Sequence, residues 1–138
     1  MFLLDTNVVS QLRRRRPHGA VLAWLEGLDD SQLHLSAGTL GEIQAGIERA
    51  RSGDGAKAAE LEAWADEVAG VCNVLSMDSR AFRLWARLMH RKPDGLYEDA
   101  MIAATALLHD LTVATRNVGD FKIFAVPTVN PFEFRLGK

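Results

Sequence analysis

Apolar residues along the chain form short continuous runs, separated by longer stretches with helical spacing. The runs MFLL, QLHLS, VCNVLS and LTVAT are predicted strands, and FAVPTVN is a weaker fifth strand. In the longer stretches apolar residues recur every three or four positions, which predicts helices. Strands that alternate with helices form right-handed βαβ units. We therefore predict an α/β fold with a mostly parallel sheet and helices on both faces.

The ends of the helices are marked by capping signals. Asp, Thr and Asn follow MFLL directly and can accept hydrogen bonds from free backbone N–H groups at a helix start. In the same way, Thr39 is the predicted cap of a helix that carries the GEIQAG segment. The predicted helices span residues 6–15, 20–28, 39–51, 56–70, 78–91 and 97–109.

The large aromatic side chains lie at helical spacing among apolar neighbours, which favours packing roles over base stacking. Phe82, Trp85 and Met89 are predicted to face inward from the helix over residues 78–91. With Trp24 and Trp64 they are expected in the core or in an interface.

The helix over residues 97–109 is almost wholly apolar, yet it begins with Glu98 and Asp99. At about 100° per residue, the Asp99 face continues through one isoleucine and two alanines, while the Glu98 face ends at polar His109. Asp99 is therefore the acid predicted to point inward. The helix dipole stabilises an exposed acid in the first turn by ~0.3–1 kcal/mol, but an unpaired buried charge costs several kcal/mol. A bound cation would offset that cost.

Composition places the chain among single-domain proteins without a strong charge. Its 138 residues are 48% hydrophobic and 25% charged, with a net charge of −2, so any attraction to nucleic acid must be local. Cys72 is the single cysteine, which indicates a reducing compartment. The sequence contains neither a signal-peptide pattern nor an apolar run long enough to span a membrane. We expect a soluble cytoplasmic protein with no membrane contact.

Carboxylate and amide side chains follow the predicted strands at the edge where ligands bind in parallel sheets. Asp5 comes directly after the first strand, and Asn117 and Asp120 follow LTVAT. Asp5, Asn117 and Asp120 could also simply cap a helix or stabilise a loop. A further acid, Glu42, lies on a predicted helix and could also be a solvated surface residue. Several carboxylates at one edge repel one another unless a divalent cation lies between them, and Mg²⁺ prefers such oxygen ligands. The four histidines are scattered, without the spacing of a zinc site.

Four segments carry a resemblance to a known family: LLDTNVVS, LSAGTLGEIQAG, DAMIAATALLHDLTVATRNVGDF and VNPF. Together they resemble PIN-domain ribonucleases over residues 2–132, and more closely the VapC and FitB type of toxin in type II toxin–antitoxin pairs. The resemblance implies a three-layer α/β/α fold, with residues 1–138 as a single PIN domain. It also implies Mg²⁺- or Mn²⁺-dependent cleavage of RNA by a homodimer that a cognate antitoxin neutralises.

The resemblance also implies roles for individual residues. Asp5, Glu42 and Asp99 stand at the family's acidic positions as metal ligands. Some relatives carry the fourth acid directly after TR, where this chain has Asn117, and here the next acid is Asp120. Which of the two serves the metal is left open. The expected catalytic residues are Asp5, Glu42, Asp99 and Asp120, and the expected groups that orient them are Thr6, Asn7, Thr115 and Asn117.

The sequence leaves three questions open: whether the domain cuts RNA, whether the arginine run contacts RNA, and where an antitoxin binds. A PIN-like domain could bind RNA or protein without cutting, although the presence of all three acids argues against this. The run of four arginines at residues 13–16 could contact RNA or could simply be a solvated helix end. By analogy with the family, the helices over residues 18–28 and 39–71 are candidates for a groove that receives the antitoxin, whose arginine could enter the acidic pocket.

Overall fold

Five short strands form one parallel sheet at the centre of the computed structural model, which describes residues 1–136. The strand order is β3-β2-β1-β4-β5, and each of the four strand pairs is parallel. The strands are β1 Phe2–Leu4, β2 Leu33–Ser36, β3 Asn73–Leu75, β4 Thr112–Ala114 and β5 Thr128–Val129. All five predicted strands are present, and the predicted parallel sheet is confirmed.

Seven α-helices within residues 1–136 connect and cover the strands of this sheet. They are α1 Thr6–Val9, α2 Gly19–Glu26, α3 Ala37–Arg51, α4 Gly55–Val71, α5 Ser79–Met89, α6 Tyr97–His109 and α7 Val118–Phe121. One buried cluster joins β1 and β4 to α6, and another joins β1 and β2 to α1, α2 and α4. The sheet is therefore covered on both faces, as the α/β/α prediction required. No helix among residues 1–136 combines the length and apolarity needed to cross a membrane.

Most predicted helix ends lie within two residues of the observed ones, and two of the differences have a clear physical cause. The helix predicted over residues 6–15 ends at Val9 and continues only as a 3-10 turn, Ser10–Arg13. The cap of helix α3 is Ser36, three residues before the predicted cap, because the Ser36 hydroxyl accepts a hydrogen bond from the Gly38 N–H at 3.1 Å. Thr39 is instead fully buried within the helix.

The inward prediction for Phe82 was also wrong. Its side chain is 48% exposed, whereas Ala81 is buried and the Trp85 and Leu88 side chains pack partly buried against the core. The predicted role of Trp24 in the core is confirmed, since its side chain is 7% exposed. Helix α5 therefore turns one edge of its apolar stripe towards solvent.

Helix α6 lies close to the sheet because its inner face carries small residues. Ala100, Ala103 and Ala106 are fully buried against β1 and β4, with Ile102 beside them. The buried Thr105 hydroxyl is satisfied by donating to the Met101 carbonyl at 2.9 Å. This packing fixes the first turn of α6, with its two acids, relative to the strands.

Candidate active site

Asp5 lies directly after β1, the central strand, and is 7% exposed. Its backbone N–H donates to the Ala114 carbonyl at 2.9 Å, so the end of β1 is tied to the end of β4. One carboxylate oxygen accepts a hydrogen bond from the Thr6 N–H at 2.8 Å. The other accepts from the Thr115 hydroxyl at 2.8 Å and from the Asn7 amide at 3.3 Å. Asp5 therefore caps α1 and is also held in one orientation.

Asn7 and Thr115 link the two loops that follow β1 and β4. The Asn7 side-chain oxygen accepts from the Arg116 N–H at 3.1 Å, and the Thr115 hydroxyl oxygen accepts from the Asn117 N–H at 3.0 Å. Thr115 is fully buried. Groups that hold a carboxylate in this way fix the direction in which its remaining lone pairs point. Three of the four residues predicted to orient the acids, Thr6, Asn7 and Thr115, thus contact Asp5 directly.

The Thr6 hydroxyl is the exception within this network. The backbone N–H of Thr6 is bonded to Asp5, but the hydroxyl oxygen is buried without a hydrogen-bond partner. Buried hydroxyls are nearly always paired, with protein, water or ligand. The buried Thr39 hydroxyl is likewise without a partner, so the Thr6 hydroxyl does not by itself mark a binding position.

A second group of acids comes from α3 and the first turn of α6. Burial raises the pKa of Glu42 to about 8, assisted by a hydrogen bond with the Glu98 carboxyl group and by repulsion from Glu98, Asp5 and Asp99. Burial also raises the pKa of Asp99 to about 6, with further repulsion from Asp5, Asp120 and Glu98. The acids of the sheet edge, α3 and α6 are therefore close enough to disfavour one another's charge.

Asp5 and Asp120 complete this set. Burial raises the pKa of Asp5 above its ordinary value, although the hydrogen bonds from Thr115 and Thr6 work in the opposite direction. The charge of Asp120, in the first turn of α7, raises the pKa of both Asp5 and Asp99. Asn117 donates its backbone N–H to Thr115, and within residues 1–136 its side chain makes no hydrogen bond to these acids.

The chemistry of this donor set fits a hard divalent cation. The side chains that meet here offer carboxylate oxygens, and in the described part of the chain no lysine, arginine or histidine nitrogen lies within 4 Å of them. Over the same residues, however, no group of three or more Asp, Glu, His or Cys side chains converges closely enough to hold an ion as it stands. The acids thus repel one another across an open arrangement, and side-chain rotation would be needed to bring them onto one ion.

A family model described as PIN domain matches residues 2–126. The chain belongs to the PIN-domain family. This PIN domain is 34% identical to a VapC ribonuclease of Sinorhizobium fredii and 36% identical to toxin FitB of Neisseria gonorrhoeae, in each case over 96% of this chain and 99% of the relative. It also superposes on the crystal structure of FitAcB from Neisseria gonorrhoeae with a TM-score of 0.82 at 32% identity, covering 97% of this chain and 100% of that one.

Glu98 is the residue of this PIN domain that the sequence argument missed. Its face of α6 was expected to be the wetter one, and the side chain is indeed exposed, yet its carboxyl group hydrogen-bonds with that of Glu42. A first-turn glutamate has a side chain long enough to reach sideways towards a neighbouring helix. The adjacent acids at the head of α6 were the available signal, because both project from the same turn.

Proposed function

We propose that this PIN domain is a metal-dependent endoribonuclease and the toxin component of a type II toxin–antitoxin pair. The observation that carries the proposal is the set of mutually repelling carboxylates at the carboxyl end of β1, at which Asp5 is held by three hydrogen bonds. The similarity to a VapC ribonuclease and to toxin FitB supports the same activity and the same biological role.

Asp5, Asp99 and Glu42 would hold the cation, Mg²⁺ or alternatively Mn²⁺. Bound there, such an ion would supply positive charge for the scissile phosphate and the transition state and would lower the pKa of a water molecule. Asp5 is oriented for this role by Thr115 and Asn7. Asp120 is favoured over Asn117 as the fourth acid, because its charge acts on both Asp5 and Asp99.

Metal-binding calorimetry tests this site against the alternative of a PIN domain that binds without cutting. Wild-type protein is expected to bind Mn²⁺ or Mg²⁺, and Asp5→Ala to lose at least about tenfold in affinity, since it removes a ligand and opens the hydrogen-bonded network. Glu60→Ala, which removes an exposed acid from α4, serves as the control with unchanged affinity. Equal metal binding by wild type and Asp5→Ala would refute the assignment.

The proposed partners are an RNA substrate, a cognate antitoxin and a second copy of the chain, in the cytoplasm. An apolar cleft of about 370 Å³ offers a place for the antitoxin. Its walls come from the turn after α1 and from α2, β2 and α4, and include Leu12, Leu25, Leu33, Trp64, Val68 and Val71. Smaller clefts of 250 and 170 Å³ also border Trp64, and the smaller of these reaches Glu42. A chain segment bound along them would run from the apolar cleft to the acids.

Val71→Glu is expected to weaken antitoxin binding by at least about tenfold, because it places a charge in an apolar contact. Val71 is 48% exposed at the wall of the cleft, so the free toxin should fold normally. Titration calorimetry with the antitoxin measures the effect, and RNA cleavage by the free variant should match wild type. Val74→Glu is the matched control, since Val74 is 38% exposed but does not line this cleft. If both variants lose the same amount of antitoxin affinity, the effect does not depend on the cleft, and the antitoxin would bind elsewhere.

A further inference from the structure

Three aromatic rings form a row on the surface of α5 and at the start of α6. The Phe82 and Trp85 ring centroids are 6.2 Å apart, and those of Trp85 and Tyr97 are 5.1 Å apart. The outer two rings are open to solvent, Phe82 being 48% and Tyr97 50% exposed. Exposed apolar side chains that form one contiguous patch are typical of interaction sites.

Trp85, the middle ring of the row Phe82, Trp85 and Tyr97, is held by two contacts. The Trp85 indole N–H donates to the Tyr97 carbonyl at 3.1 Å, which ties α5 to the first residue of α6. Trp85 also packs against the buried cluster that contains α6 and β4. A preformed surface of this kind loses little conformational entropy when a flat ligand stacks on it.

One end of the ring row lies in the helix turn that also carries two acids of the proposed active site. Tyr97 directly precedes Glu98, whose carboxyl group bonds with Glu42, and Asp99 follows. At about 100° per residue the Tyr97 side chain lies about 100° from Glu98 and about 200° from Asp99, so a nucleotide stacked on Tyr97 would occupy a neighbouring face of the same helix turn. The row then leads away from the acids along α5 to Phe82.

The other flank of α5 is basic. The helix contains no acidic residue, and Arg83 and Arg87 are exposed beside a cleft of about 340 Å³. Within residues 1–136, no carboxylate oxygen lies within 4 Å of either guanidinium, whereas Arg80 pairs with Asp78 at 3.5 Å. Arg83 and Arg87 lie about 100–140° around the helix from Phe82, across its exposed crest. The exposed surface of α5 therefore has aromatic rings along one side and the unpaired guanidinium groups of Arg83 and Arg87 along the other.

We propose that Phe82, Tyr97, Arg83 and Arg87 bind a single-stranded stretch of RNA next to the bond that is cut. This inference rests on the proposed nuclease function and adds the class of substrate. Bases stack on exposed rings only when they are not stacked in a duplex, and arginines attract the phosphates. A second copy of the chain is the competing occupant, but identical arginine flanks would repel each other across a two-fold contact.

The test is RNA binding by the full-length protein in EDTA, which prevents metal-dependent cleavage. The probe is a labelled single-stranded RNA of about 12 nucleotides, within the range that stacking grooves occupy. Phe82→Ala and Tyr97→Ala are each expected to weaken binding by roughly 5- to 100-fold. Tyr97→Phe keeps the ring and should recover the affinity. Ile123→Ala, at an exposed apolar residue outside this face, should bind as wild type does.

Salt dependence tests the arginines separately. The double variant Arg83→Gln, Arg87→Gln should lower the slope of log affinity against log salt by about 1.4, since each phosphate contact on a single strand contributes about 0.7. Thermal melts by circular dichroism establish that each variant is folded. An unchanged slope would remove the arginines from the proposal.

Unchanged RNA binding by Phe82→Ala and Tyr97→Ala would overturn the inference. So would sedimentation data in which these variants become monomers while their RNA affinity stays the same, because a second copy would then cover the face. Either result leaves the nuclease proposal intact if wild type still cuts RNA. Ring-dependent RNA binding by a wild-type protein that never cuts would instead overturn the nuclease proposal alone.

Discussion

Asp99→Asn is expected to fold normally and to cleave RNA roughly 10²- to 10⁴-fold more slowly than wild type. The substitution keeps the size of the side chain and removes its charge, at a position where burial and neighbouring acids already raise the pKa to about 6. Removing one of several repelling charges is not expected to destabilise the fold, so lost activity would report on the proposed metal site. Initial cleavage rates in saturating Mg²⁺, together with a thermal melt, measure both effects.

Asp110→Asn is the matched control for this substitution. Asp110 ends the same helix, is exposed and has a left-handed backbone conformation with φ 54° that asparagine also tolerates. Its cleavage rate should equal that of wild type. An Asp99→Asn variant that cuts at the wild-type rate would show that Asp99 takes no part in the reaction.

Glu42→Gln is expected to make the metal-free protein more stable than wild type at pH 8. The folded-state pKa of Glu42 is about 8, against an ordinary value of 4.5, so the folded protein holds this proton more tightly than the unfolded chain. The favourable contribution of protonated Glu42 to the free energy of unfolding is therefore fully present below about pH 4.5 and is lost as the pH rises through 8. Because Glu42 is only partly buried, water screens the repulsion and makes the effect smaller than the shift alone would give.

Urea unfolding in EDTA at pH 5 and pH 8 measures this difference. Wild type should lose stability between the two values, and Glu42→Gln should lose less. Mg²⁺ at 100 times its Kd should raise the free energy of unfolding of wild type by about 2.7 kcal/mol at pH 8. The same Mg²⁺ concentration should raise it much less at pH 5, because protonated carboxyl groups bind the ion poorly. Glu48→Gln is the control. Because Arg51 lowers the pKa of exposed Glu48, this glutamate is charged at both pH values, and the substitution should lower the free energy of unfolding slightly and equally at pH 5 and pH 8. A wild-type stability that rises from pH 5 to pH 8 in EDTA would contradict the account.

Much of the architecture could be predicted because each layer has its own pattern. A short apolar strand followed by Asp, Thr and Asn predicted both a buried β1 and the acid at its end. The alanine-rich face of α6 predicted close packing against the sheet. Strand order could not be predicted in this way, because it depends on how crossovers pack and not on local spacing.

The errors arose where a local rule competed with a tertiary contact. Thr39 is a good capping residue, but Ser36 stands at the end of β2 and takes that role, so Thr39 is carried into the core. Phe82 shares its helical spacing with Trp85, but the buried residue of α5 is its neighbour Ala81, and Phe82 lies about 100° further around the helix on the exposed side. Glu98 was assigned by its helical face alone, whereas its side chain reaches α3.

The most direct test of the central claim is cleavage of a pool of single-stranded and structured RNAs by wild type and Asp99→Asn, in Mg²⁺, in Mn²⁺ and in EDTA. Metal-dependent nuclease activity predicts cutting by wild type in either metal, none in EDTA, and a loss of cutting in the variant under all conditions. Cutting by wild type that persists in EDTA, or that is equally fast in Asp99→Asn, would contradict a metal site built on these carboxylates.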